Sequence, residues 1–226
     1  MSLINLTHAG GTGDGIMFSS IIKEKYCKEY DVVNLHVPRL EYLFKRLYSD
    51  TDNISFNAPS ATPHNIEFDE AIAHPSWRQV RWDRNLKEEQ SAYDEIVNKF
   101  GKDYVISHWR PTDNNGFKLV PINKKYIKFN SPVVNLDHNW MQDNGLNPRL
   151  ILDYTKVLEN AKEIHLYEGS FVNFSESALS GKKINSHLYC RQSFFNRGHV
   201  HNKVLQFIIN EKWTKNNDWN YIYDEE

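Results

Sequence analysis

Cysteine is scarce: Cys27 and Cys190 are the only two in 226 residues, and they lie far apart in the chain. That excludes a disulfide scaffold, and the spacing fits no zinc-finger pattern. A reduced, cytoplasmic protein is the expectation. An excess of one charge is missing as well. With 27 basic and 29 acidic residues the formal net charge is −2, so there is no field to draw in a nucleic acid, and none is expected as a partner. Long apolar runs are absent too, which excludes a transmembrane segment. Met1-Ser-Leu-Ile-Asn5 has neither the basic nor the apolar region of a signal peptide. No internal repeat or low-complexity segment is present. What is there suffices for a real core: 40% hydrophobic and 13% aromatic residues exclude global disorder. The length suits one large domain or two small ones.

The hydrophobic pattern alternates between strand and helix. Residues 3–7 read as a strand, residues 8–15 as a glycine-rich turn, and residues 16–30 as a helix with Ile16, Ile21, Ile22 and Tyr26 on or near one face. Thr12 and Asp14 are both placed to cap that helix. Strands at 31–36 and 53–57 flank a helix over 40–47, which completes a βαβαβ half of Rossmann type. The pattern weakens from 58 to 84, where residues 66–72 suit either a strand or a short helix. Trp77, Arg78, Arg81, Trp82 and Arg84 cluster there. They suit a lip for sugar or phosphate, or a surface helix with tryptophans folded under it. A helix over 88–100 closes at Gly101. Beyond it, residues 132–137 read as a strand, 138–145 as a loop, and Pro148 as the start of a helix through Leu158. Residues 162–167 and 183–189 are strands around a helix over 171–179, and 199–213 is a helix. Two domains follow, residues 1–102 and 103–226.

The glycine run Gly10-Gly11-Thr12-Gly13-Asp14-Gly15 invites three readings. A phosphate-binding P-loop needs Lys and then Ser or Thr after its last glycine, where Ile16 and Met17 stand. A dinucleotide fingerprint needs G-x-G-x-x-G and an acid closing the second strand, but that strand ends in Leu35-His36-Val37-Pro38. A loop for S-adenosylmethionine would carry an acid just before its glycines, where Thr7-His8-Ala9 stands. There remains a turn whose backbone N–H groups, with Gly11, Gly13 and Gly15, approach a ligand, or else a structural tight turn. Asp14 is a helix cap, a general base on an acceptor hydroxyl, or both.

The stretch Tyr104-Val-Ile-Ser-His-Trp-Arg-Pro-Thr-Asp-Asn-Asn-Gly116 runs from a buried strand into a turn. Pro111 ends ladder pairing, and 113–116 is strong turn chemistry. A strand end offering His108, Arg110 and Asp113 is where open α/β sheets bind ligands. The alternative is a surface loop in which Arg110 pairs with Asp113. Further on, Glu168-Gly169-Ser170 leads into the helix of Phe171.

Two segments carry a resemblance. His108-Trp-Arg-Pro-Thr-Asp113 resembles the H-x-R-R-x-D motif of the α1,6-fucosyltransferase and protein O-fucosyltransferase superfamily. Gly169-Ser-Phe-Val-Asn-Phe-Ser-Glu-Ser-Ala178 resembles a later segment of that family, a small-residue turn opening a helix near the nucleotide. The turn with Gly13-Asp14-Gly15 also resembles the N-terminal turn of several GT-B families. The motif's first arginine falls on Arg110, its second on Pro111, its histidine on His108 and its aspartate on Asp113.

The resemblance implies a GT-B-like α/β fold of two small Rossmann-like, mostly parallel halves facing a cleft. The first half would be the acceptor side and the second the nucleotide-sugar side. It implies a glycosyltransferase acting on a nucleotide-diphosphate sugar, GDP-fucose-like, with a glycan or other hydroxyl compound as acceptor. A non-catalytic nucleotide- or glycan-binding module of the same fold is the alternative. Arg110 would clamp the diphosphate, with His108, Asp113, Gly169, Ser170 and Phe171 beside it.

Leaving-group charge can be met by an Arg fork and helix N–H groups without a metal. On that ground neither a metal nor a cofactor is expected. Glu168 suits a bond to ribose or base, or a cap on the following helix. Trp109 suits a nucleotide wall or a core position. His199-Val-His201 with His187 and Cys190 has the residue types of a metal site. However, two histidines two apart at a helix start point apart. Ser175 and Ser177 lack a nucleophile elbow. The aromatic tail of about 25 residues, with Trp213, Trp219, Tyr221 and Tyr223, suits a strap across the first domain or a homo-oligomer contact.

Overall fold

The structure, a computed structural model, describes residues 1–7, 12–37, 41–56, 62–75, 80–108, 130–167, 170–179, 182, 184–190 and 219–223. The chain is α/β and divides into two compact units, Met1–Arg84 and Asn85–Glu226. Each is built on a parallel sheet.

In the first unit β1 (Leu3–Thr7) leads to α1 (Thr12–Ile21), which passes through a π-helical turn, Ile22–Tyr26, into α2 (Cys27–Glu29). Then come β2 (Val32–His36), α3 (Glu41–Leu47), β3 (Ile54–Ser55), β4 (His64–Asn65) and α4 (Phe68–Ala73). The sheet order is β3-β2-β1-β4 with every pairing parallel, the order of a Rossmann-type half. Leu6, Val33 and Leu35 on the strands and Ile16, Ile21 and Ile22 on the helix are all fully buried.

The helix after the glycine run begins at Thr12, four residues before the position its apolar pattern suggests. Gly13, Asp14 and Gly15 therefore lie inside the first turn, not ahead of it. An acid in a first turn is favoured by the helix dipole. Gly15 is buried. The stretch with two readings, 66–72, proves to be the end of β4's extension, where Ile66 N–H bonds the Thr7 carbonyl at 3.0 Å, followed by α4.

In the second unit α5 (Leu86–Phe100) precedes β5 (Val105–His108), β6 (Val133–Asn135), α6 (His138–Asp143), a 3₁₀ turn (Ile151–Tyr154) and α7 (Thr155–Glu159). β7 (Glu163–Tyr167), α8 (Ser170–Ala178), β8 (Asn185–Cys190) and β9 (Trp219–Tyr223) follow. The sheet order is β6-β5-β7-β8-β9, again parallel throughout. Counted within the unit, this is the doubly wound order 2-1-3-4-5.

Three expectations need correction. The division falls after Arg84, not after residue 102, because α5 belongs to the second sheet. Asn85 caps it by accepting from Glu88 N–H at 3.2 Å, and Arg149 ties it down through Glu88 and Glu95. The supposed loop 138–145 contains α6, whose cap was overlooked: the Asp137 carboxylate accepts from Asn139 and Trp140 N–H at 3.1 and 3.3 Å. Residues 219–223 of the tail, expected to strap across the first domain, form β9 beside β8. Aromatic residues and Ile suit a strand, and the Trp219 indole N–H anchors this one to Glu176 on α8.

Candidate functional site

In an open parallel sheet, ligands bind beyond the carboxyl ends of the strands, where neighbouring crossovers leave in opposite directions. The order β6-β5-β7-β8-β9 puts that point between β5 and β7. His108 is the last residue of β5 and stands opposite Leu166 in the register. Phe171 is the second residue of α8, just past the end of β7.

The two rings meet there, centroids 4.2 Å apart and planes inclined by 38°. Alternation along β5 sets His108 on the same face as Tyr104 and Ile106. That face is packed: Ile106, Ile164, Leu166 and Leu188 are fully buried, and the Tyr104 hydroxyl donates to the Val157 carbonyl at 2.7 Å. Phe171 also lies near Tyr154 and Phe174, with ring centroids 6.3 Å away in each case. Burial pushes the Tyr154 phenol up, so it is neutral at physiological pH.

The rim is therefore an aromatic wall backed by core, with the first turn of α8 beside it. Phe171 is fixed by neighbours on several sides, while His108 is only partly covered. A helix start next to a strand end offers N–H groups and a positive dipole end to an anion. Chemically, the arrangement can stack a planar ring and receive a phosphate. Of the expected site residues, it brings together His108, Ser170 and Phe171. Arg110, Asp113, Glu168 and Gly169, with Trp109, lie outside the described residues.

In the first unit the corresponding point lies between β1 and β4. The first turn of α1 holds Gly13, Asp14 and Gly15 there, and Gly11 lies outside the described residues. Trp77 and Arg78 of the basic, aromatic cluster also lie outside them, as do His199 and His201.

One cluster was missed. Glu163, His165 and His187 bring their ligating atoms within 4.8 Å of one another. The signal was an acid and a histidine two apart on one strand, matched by a histidine on the next, but strand register is needed to see it. His165 is fully buried, and its Nε2 lies 3.1 Å from the Glu163 carboxylate. Its ring stacks on that of His187 at 4.3 Å, nearly parallel. Burial pushes His165 down to about 4 and lowers His187 as well, so both imidazoles are neutral at pH 7.

No protein-family model, curated protein or solved structure matches the chain. Among the described residues no helix is long and apolar enough to cross a membrane.

Proposed function

We propose that this chain is a GT-B-type glycosyltransferase that moves a sugar from a nucleotide-diphosphate donor to a glycan or other hydroxyl acceptor. The observation that carries the reading is the contact of His108 with Phe171 at the switch point of the second sheet, where the first turn of α8 begins. Those two residues belong to the two segments that resemble the fucosyltransferase superfamily, and they lie more than 60 positions apart in sequence. Their meeting supports a shared nucleotide site.

In this reaction the bond from the sugar's anomeric carbon to the diphosphate breaks, and the diphosphate leaves with the electron pair. The acceptor oxygen attacks from the opposite side, which inverts the anomeric centre, and gives up its proton to a base. Arg110 and the N–H groups at the start of α8 would hold the growing negative charge. His108 and Phe171 would wall the nucleotide. Asp14, in the first turn of α1, is the candidate base. The transfer needs no metal in this reading.

The test is a thermal-shift series with GDP, UDP, ADP and dTDP. A nucleotide at 100 times its Kd stabilises by about 2.7 kcal/mol, which raises Tm by roughly 5–10 °C. His108→Ala and Arg110→Ala should each cut the affinity about tenfold or more. If none of the four nucleotides moves Tm, or if both variants respond as wild type does, the site is wrong. Binding without donor hydrolysis, across many acceptors, would instead indicate a nucleotide- or glycan-binding module.

A further inference from the structure

The second sheet carries a polar row on the face opposite His108 and Phe171. Across the five strands the register reads Asn135, Ser107, His165, His187 and Asn220. Interior positions of parallel sheets are ordinarily apolar. Here Asn135 is 3% exposed, while Ser107 and His165 are 0% exposed, so the middle of the row is polar and yet buried, with His187 half-buried and Asn220 exposed at its end. Buried polar atoms require partners.

The first sheet also has such a row, Asn5, Asn34 and Ser55, and it satisfies itself. The Asn34 amide donates to Asn5 Oδ1 at 2.8 Å, and the Ser55 hydroxyl donates to Asn34 Oδ1 at 3.2 Å. The second row does not close in this way. Ser107 Oγ and His187 Nε2 are buried with no hydrogen-bond partner among the described residues. They flank His165 on either side in the register.

We propose that Glu163, His165 and His187 form a binding site for a divalent transition-metal ion of the zinc type. Glu163 and His165 are two apart on β7 and share a face, and His187 stands opposite His165 on β8. One carboxylate and two imidazoles, with ligating atoms within 4.8 Å of one another, are a donor set for such an ion. A fourth position stays open for water or a further side chain. The Glu163 side chain is 28% exposed, which leaves a path for the ion.

The two ring planes are nearly parallel, so their in-plane lone pairs do not converge on one point. Binding therefore turns His187, the less buried of the two, until its nitrogen converges with those of its partners. An ion there gives the orphan His187 nitrogen a partner and bolts β7 to β8. The site faces away from His108 and lies at the start of β7, about 10 Å of strand before α8. It is separate from the proposed transfer, and its test does not depend on that activity.

The full chain is treated with a chelator, exchanged into metal-free buffer, and titrated with Zn²⁺ by calorimetry and with Co²⁺ by visible absorption. The wild type should take up one ion per chain, show the strong ligand-field bands of four-coordinate Co²⁺, and melt at a higher temperature. Glu163→Gln and His187→Gln should each weaken Zn²⁺ binding at least about tenfold, with metal-free circular dichroism unchanged. Two variants are used so that one reports if the other fails to fold. His199→Gln and His201→Gln should bind as wild type does. The proposal is overturned if the wild type takes up no Zn²⁺. It is equally overturned if Glu163→Gln binds like wild type, or if the His199 and His201 variants abolish uptake.

Discussion

Arg149→Met tests whether α5 belongs to the second unit. The Arg149 guanidinium donates to Glu88, to Ser91 at 2.9 Å and to Glu95 at 2.7 Å, three acceptors along one face of α5. Asn147 adds bonds to both Glu95 oxygens, at 3.2 and 2.8 Å. Fully exposed ion pairs contribute about 0.2–1 kcal/mol, and hydrogen bonds to charged groups about 1.5–3 kcal/mol. The Arg149 side chain is 13% exposed, against 27% for Glu95 and 42% for Glu88, so the cluster lies between these limits. Methionine keeps the apolar stem and loses the fork, and the expected loss is about 2 kcal/mol at pH 7.

The pH dependence sharpens this test. Burial raises the Glu95 carboxyl, but the bonds from Asn147 and Arg149 outweigh it and hold its pKa below the ordinary 4.5. A depressed carboxylate contributes stability that is present above its unfolded value and is lost as pH falls through its folded one. The gap between wild type and variant should therefore close below about pH 4.5. Calorimetric unfolding at pH 7 and pH 3 measures it. A gap under about 0.5 kcal/mol at pH 7, or one as large at pH 3 as at pH 7, refutes the reasoning.

Other outcomes follow from single contacts. Trp219→Phe removes the indole donor to the buried Glu176 and should cost about 1–3 kcal/mol, with faster hydrogen exchange in β8 and β9. Unchanged exchange there would mean that β9 is held by its ladder alone. Gly101 ends α5 with φ of +80°, and a Cβ there would touch nothing within 4 Å. Gly101→Ala should still cost about 1–2 kcal/mol of backbone strain in urea unfolding, and a neutral result would show that the turn relaxes. Burial pushes the Cys27 thiol up to about 11. In a Cys190→Ser background it should react with a disulfide reagent at pH 8 roughly 100-fold more slowly than a free thiol. Reaction at the free-thiol rate contradicts that burial.

Where local pattern and tertiary packing agree, the sequence could be read directly. β1, β2, β5 and β7 are short apolar runs set off by turns, and each stands within a residue or so of its expected place. The errors arose where a local preference was overruled or overlooked. Four glycines in six positions argued for a turn, but α1 extends back to Thr12 through two of them. The polar run after Asp137 argued for a loop, although the aspartate caps a two-turn helix. The break after α5 looked like a domain boundary because Gly101 punctuates it, while the ion pairs that dock α5 come from a residue some 50 positions further on.

The same distinction separates the two sites on the second sheet. His108 and Phe171 were legible because each sits at a strand end or helix start, and such ends are marked locally by Pro, Gly and Ser. The polar row carries no local mark. Asn135, Ser107, His165, His187 and Asn220 come from five strands, and only the register aligns them. On its own strand each reads as the polar half of an ordinary alternation, the pattern of a sheet with one face in water. A parallel sheet reverses that meaning, because both of its faces are covered and a polar residue in mid-strand is then buried and in need of a partner. Fold class is thus what turns His165 from a solvent-facing histidine into a candidate ligand, and it had to be known before the residue could be read.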